Sequence, residues 1–274
     1  METGRVAREL ADDQIVRTTG RGGWRRGGVW TSRVECGDAL YHLRRIPEGE
    51  VGAIVSDPPF HIGIGRDEGS FGRDPWSTEV QDSKSAVDWS KPFAAEFRRT
   101  VRPGGAVVLM AGVHAVAAWM TACEEAGLIW MAELEVLWNA GKPRARNFGS
   151  LHTHILWFTV PGARHTWNSD RRAIYSNILV CDKVPQAYKF HPAQKPVALT
   201  TFLISLLTKR GDLVVDPFCG SGTTLVSAEV CERPWLGIDR ERHYADIARR
   251  RAAMAEVEED GTVHLWVNGR LEEV

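Results

Sequence analysis

Residues 213–224 read Leu213-Val214-Val215-Asp216-Pro217-Phe218-Cys219-Gly220-Ser221-Gly222-Thr223-Thr224. A short apolar run ends on an acid, a glycine-containing turn follows, and Thr223 to Val230 then has helical character. Strand, turn and helix in this order form the unit of a parallel sheet, in which ligands bind at the carboxyl ends of strands. Gly220 and Gly222 permit close backbone approach. The helix start offers free N–H groups to a carboxylate or phosphate.

The ligand class follows from what the turn contains and lacks. No lysine precedes the threonines, so the turn is not a phosphate-binding P-loop. GSGTTL lacks the third glycine of the dinucleotide fingerprint. Seventeen residues past Gly222, at the end of the next apolar run, stands Asp239. An acid there can accept hydrogen bonds from two ribose hydroxyls. An adenosine bearing an amino-acid tail fits this set, and S-adenosylmethionine is such a ligand. An ordinary strand-to-helix turn shares the local pattern.

A second run, Val51 to Ser56, is apolar throughout and reads as a buried parallel strand. It stops at Asp57-Pro58-Pro59-Phe60. Two prolines fix φ and remove two N–H donors. The Pro58 carbonyl then stands without a competing donor, and Asp57 adds carboxylate acceptors. Together they form an acceptor-only site suited to an amino group, and Phe60 offers a flat face to a planar base. A rigid strand-to-loop exit is the structural alternative.

Working outward, helices are expected at Asp38–Ile46, Phe93–Val101, Val113–Ala126, Pro196–Thr208 and Glu241–Glu256. Further strands are expected at Ala106–Ala111, Leu128–Trp138, His154–Val160 and Trp235–Asp239. Alternating strands and helices predict a doubly wound α/β fold, with a mixed, mostly parallel sheet and helices on both faces. Residues 1–33 read as a flexible basic extension and 34–260 as one catalytic domain. Within it, 61–92 reads as a mobile loop and about 139–190 as a small target-recognition or DNA-contact region, irregular over 161–190; after it, 261–274 reads as a C-terminal tail with a hairpin signal at Asn268-Gly269.

Composition narrows the class. The 274 residues are 43% hydrophobic and 25% charged, as in globular proteins. No apolar run approaches a membrane span. Five cysteines form no CxxC pair, so neither a disulfide framework nor a zinc site is indicated, and a cytoplasmic setting is expected. Net charge is −1, but it is uneven: residues 17–33 carry +5 and 136–195 carry +7, leaving −13 elsewhere. Such asymmetry suits a face that meets a polyanion. A solvated surface short of acids fits equally.

Both motifs in one chain resemble the β class of S-adenosylmethionine-dependent DNA amino-methyltransferases, which modify adenine N6 or cytosine N4. The resemblance covers roughly residues 34–255. It includes Cys36-Gly37-Asp38-Ala39-Leu40, Arg102-Pro103-Gly104-Gly105, His191-Pro192-Ala193-Gln194-Lys195-Pro196, the Phe218–Thr224 turn, and Tyr244, Ile247, Ala248 and Arg251. It implies a Rossmann-like methyltransferase fold and catalytic roles for Asp57, Pro58, Pro59 and Phe60. It implies cofactor contacts from Asp38, Ala39, Lys195, Asp216, Phe218, Gly220, Ser221, Gly222, Thr223 and Asp239. Asp at the first motif position leans toward adenine, where Ser accompanies cytosine N4. The implied partner is double-stranded DNA, from which the target base must be extruded. A homodimer and a cognate restriction enzyme stand as further expectations.

Other residues have plainer roles. His152 and His154 alternate on a strand, with no third ligand evident in the sequence. Trp76, Trp89, Trp138 and Trp167 lie in or beside loops, where bases could stack. Trp130 and Trp157 read as core, and the helix 241–256 reads as a solvated face.

Overall fold

The computed structural model describes residues 25–26, 29–59, 83–139, 151–169, 175–254, 263–267 and 270–273. Among them, β1 (Arg25–Arg26) and β2 (Val29–Trp30) pair as a small antiparallel ladder. The remaining strands are β3 (Arg33–Cys36), β4 (Val51–Ser56), β5 (Val101–Ala111), β6 (Ile129–Trp138), β7 (His152–Thr159), β8 (Tyr175–Cys181), β9 (Leu213–Asp216), β10 (Trp235–Asp239), β11 (Val263–Val267) and β12 (Arg270–Glu273). They form one sheet in the order β12-β11-β8-β6-β7-β5-β4-β9-β10-β3. From β5 to β3 every pairing is parallel. β7 inserts antiparallel between β5 and β6, and β8 then runs parallel to β6.

Helices cover both faces. On one lie α1 (Ala39–Leu43), α2 (Ser83–Thr100) and α3 (Val113–Glu125); on the other lie α4 (Val197–Leu207), α5 (Thr223–Val230) and α6 (Arg242–Ala253). Strand residues alternate between the two cores, as a period of two requires. Ile54, Val107, Leu109 and Val215 face Phe93, Phe97 and Trp119, while Ala53, Val55, Val108 and Val214 face Leu199, Leu203 and Leu225. Each large side chain fully buried this way contributes about 1.5–3 kcal/mol.

The crossovers locate the site. From β4 the chain passes through α2 to β5; from β9 it passes through α5 to β10, on the opposite side and face. β4 and β9 are neighbours, with Ile54 opposite Val215. Their carboxyl ends therefore flank the switch point of the sheet, the crevice where ligands bind in open α/β folds.

The structure corrects three local expectations. Residues 83–92, read as loop, are the first half of α2, continuous through Pro92. Around the proline Ser90 Oγ donates to the Ala86 carbonyl at 2.9 Å, and Trp89 and Phe93 pack on Phe218, so tertiary contact holds the turn containing the proline. Residues 175–181, read as irregular, form β8. Residues 263–273 are not merely a tail, because β11 and β12 extend the sheet from β8. The turn residues 268–269 lie outside the described residues.

Candidate active site

The site grows from the two strand ends. Ser56 is buried and its Oγ donates to Asp216 Oδ1 at 2.6 Å, which bolts the end of β4 to the end of β9. Asp216 also accepts from the Phe218 N–H at 3.1 Å and is itself buried. Burial pushes its carboxyl up to about 6, against hydrogen bonds from Ser56, Thr224 and Phe218 that favour the charged form. Asp216 thus sets the geometry of both motifs from beneath.

The glycine turn is shaped by close packing. Gly220 and Gly222 have φ of 50° and 85°. A Cβ on Gly222 would stand 2.8 Å from Ala248 Cα, so this glycine lets α6 approach the turn. Asp239 closes the turn: its Oδ2 accepts from the Gly220 N–H at 2.9 Å, and its Oδ1 from the Glu241 N–H at 2.8 Å. Each oxygen retains further acceptor capacity. Burial raises the Asp239 carboxyl to about 6 despite these bonds. Gly37 donates to the Asp239 carbonyl at 2.9 Å, which brings the β3 end alongside. Asp38 caps α1 by accepting from the Tyr41 N–H at 2.8 Å, and Ala39 is buried. Phe218 packs on Phe93 and Trp89, with ring centroids 5.1 and 5.8 Å away.

Asp57 emerges from β4 as a partly covered carboxylate. Its Oδ2 is ion-paired with the Lys195 ammonium, while its Oδ1 is buried with no hydrogen-bond partner among the described residues. Pro58 is buried beside it. The Lys195 side chain, expected at the cofactor, thus goes to Asp57, whereas its carbonyl accepts from Thr223 Oγ1 at 3.3 Å. Phe60 lies outside the described residues, as do residues 61–82 with Trp76, and Lys142, Arg144 and Arg146.

Two residues that the resemblance includes without assigning them a site role also shape the turn. Gln194 Oε1 accepts from Ser221 Oγ at 3.2 Å and from the Phe190 N–H at 2.9 Å. Arg251 is 3% exposed and donates to the Ser221 carbonyl at 2.8 Å and to its Oγ at 3.0 Å. Helix 241–256 is therefore not solvated all round. Its alanine stripe, Ala245, Ala248 and Ala252, faces the turn, and the neighbouring arginine could have been suspected from that spacing. Trp89, expected to be open to bases, is packed in α2 against Phe93, Trp119 and Phe218. His154 Nδ1 lies 2.5 Å from Glu133 Oε1 across the strands, an acid that the sequence did not reveal as its neighbour.

The residues at the turn fit an adenosine-type cofactor. The start of α5 has no side-chain cap, an acid ends β10, and a Cβ on Gly220 would meet nothing closer than 3.8 Å. Fold and site together define a Rossmann-like methyltransferase domain. Comparison with known proteins carries this further. The family described as DNA methylase, of the N6 and N4 type, matches residues 51–250, and the chain belongs to it. Its methyl donor is S-adenosylmethionine and its substrate is DNA. The DNA adenine methyltransferase YhdJ of Escherichia coli K12 is 26% identical over 279 residues, covering 87% of this chain and 91% of that protein. The Type II methyltransferase M.HpaI of Haemophilus parainfluenzae is 25% identical over 241 residues, covering 80% and 73%. Among solved structures, an M1.HpyAVI–SAM complex superimposes with a TM-score of 0.63 at 23% identity, covering 81% of this chain and 98% of that one. The cytosine-N4-specific PvuII DNA methyltransferase gives 0.64 at 21%, covering 85% and 88%. Among the described residues, no helix is long and apolar enough to cross a membrane.

Proposed function

We propose that the chain methylates the exocyclic amine of a base in double-stranded DNA, adenine N6, with Asp57 as the group that holds the amine. The observation that carries this is the buried Asp57 Oδ1, an acceptor without a partner among the described residues, at the strand end beside the cofactor turn. A carboxylate oxygen so placed accepts one amine N–H, and the Pro58 carbonyl accepts the other. Held this way, the amine directs its lone pair away from the base ring. Lys195 fixes Oδ2, so the carboxylate presents Oδ1 in one orientation. As positive charge builds on the amine nitrogen, the Asp57 carboxylate stabilises it without rearranging. Phe60 is proposed to stack on the base.

S-adenosylmethionine, when bound, supplies an electrophilic methyl group. Asp239 would hold its ribose hydroxyls, and the Gly220–Thr223 backbone, with Ser221 and Phe218, would line its seat. Asp38 and Ala39 would approach from β3, while Asp216 would support the turn from below. Fixing donor and amine within about 3–3.5 Å supplies much of the remaining acceleration.

Adenine is supported by Asp at the first motif position and by the adenine methyltransferase among the relatives. Cytosine N4 is the second reading, favoured by the likeness to a cytosine-N4-specific enzyme. A cognate restriction enzyme is supported by the relative named as a Type II methyltransferase. A DNA substrate and free thiols at all five cysteines fit a cytoplasmic setting.

The test is Asp57→Ala. Methyl transfer should fall by about a thousandfold or more, the scale of losing a preorganised charge-stabilising group. Calorimetry should still show S-adenosylmethionine binding. Near-normal turnover would overturn the assignment.

A further inference from the structure

A second hollow, of about 210 Å³, adjoins the site and is lined by Trp138, Thr153, Lys183, Lys189, Pro192 and Lys195, among others. Among the described residues no acid lines it. Of its three ammonium groups, Lys195 is paired with Asp57. Lys183 and Lys189 are half-buried, and among the described residues neither has a carboxylate partner. Burial lowers the Lys183 pKa, and the nearby charge of Lys189 lowers it further. Two cations that repel one another in a partly dry hollow are stabilised by an anion.

The position of the hollow identifies the anion. Trp138 ends β6, Thr153 begins β7, and Lys183 follows β8, so the hollow lies on the β5 side of β4. The cofactor turn lies on the β9 side. Asp57 stands between them, and Lys195 belongs to the wall of the hollow and to the Asp57 ion pair alike. Gln194, which accepts from Ser221 Oγ of the cofactor turn, also lines the hollow, but Lys183 and Lys189 follow β8, on the side of Asp57 away from β9, so an anion held by these two lysines is assigned to the molecule that brings an amine to Asp57. Trp138 Nε1 is tied to Thr153 Oγ1 at 3.0 Å, which fixes the indole in the lining.

We infer that this hollow is a phosphate subsite: Lys183 and Lys189 clamp a backbone phosphodiester of the DNA strand whose base reaches Asp57. The inference rests on the reading of the site as a DNA base methyltransferase. It adds the residues that hold the strand while the base is out of the helix.

The experiment measures equilibrium binding of the full chain to mixed-sequence duplex DNA across a salt series, with no turnover required. In the double variant Lys183→Gln/Lys189→Gln, affinity at low salt should fall by about tenfold or more, as expected for lost charge-assisted bonds. The slope of log K against log salt should flatten by about 0.9, one phosphate. The dissociation constant for S-adenosylmethionine should not move. Lys183→Arg/Lys189→Arg should keep the wild-type slope, which separates charge from packing. A Gln variant with the wild-type slope would overturn the subsite alone. Loss of S-adenosylmethionine affinity in step with DNA affinity would assign the hollow to the cofactor and overturn it too. A wild-type chain that bound no duplex DNA would overturn both the subsite and the function on which it rests.

Discussion

Asp239 and Asp216 both titrate near 6, but the consequences differ. Asp239 is proposed to accept from ribose hydroxyls, and its proton removes acceptor capacity. Affinity for S-adenosylmethionine should therefore weaken as pH falls through about 6, by up to about tenfold per pH unit. Asp239→Asn should bind weakly at every pH, and calorimetry between pH 5 and 8 would check this. The same pH slope in the variant would remove Asp239 from the cofactor site. Asp216 acts on stability. Its carboxyl is about 6 when folded against an ordinary 3.8, so the folded chain holds the proton more tightly. That contribution is fully present below 3.8 and is lost as pH rises through about 6, on the order of 3 kcal/mol. Urea unfolding of Asp216→Asn should show a flatter pH dependence over that window than wild type. At this scale the sequence revealed Asp57, Asp216 and Asp239, because strand-end acids beside prolines and glycines leave a local pattern. Gln194 and Arg251 touch the turn from distant segments, and no local pattern marks such a meeting.

Among the elements, the packing of α5 and α6 on the cofactor turn depends on one glycine. Gly222→Ala would place a Cβ into Ala248 at a φ of 85°. Left-handed strain and overpacking together predict a loss of roughly 2–4 kcal/mol. Urea denaturation would measure it, and a change under 1 kcal/mol would contradict the role given to this close approach. The buried strands β4, β9 and β10 were legible because each is an unbroken run of apolar or small residues up to the acid at or just past its carboxyl end. Part of β8 was hidden because Tyr175-Ser176-Asn177 breaks the apolar run, and Asn177 and Ile178 are exposed. The first half of α2 was hidden by Pro92, a residue that ends most helices and here is carried by the Trp89–Phe93–Phe218 cluster.

For the molecule as a whole, one sheet carries both halves of the chemistry. The parallel strands from β4 to β3 position the cofactor turn, and the mixed strands from β7 to β12 carry the lysine hollow. The β11–β12 hairpin covers the edge of β8. Deleting residues 261–274 should expose that edge and promote aggregation on heating, which light scattering would detect. Unchanged behaviour would mean that the hairpin contributes little. The fold class was legible from the alternation of strands and helices, but the strand order was not, and with it the side of β4 on which the basic residues gather. Amine methylation at Asp57 is tested most directly by digesting DNA treated with the purified protein and S-adenosylmethionine and separating the nucleosides by mass spectrometry. N6-methyladenine is expected, with no 5-methylcytosine. N4-methylcytosine as the sole product would contradict the adenine assignment while keeping the amine chemistry, and 5-methylcytosine would contradict the mechanism itself.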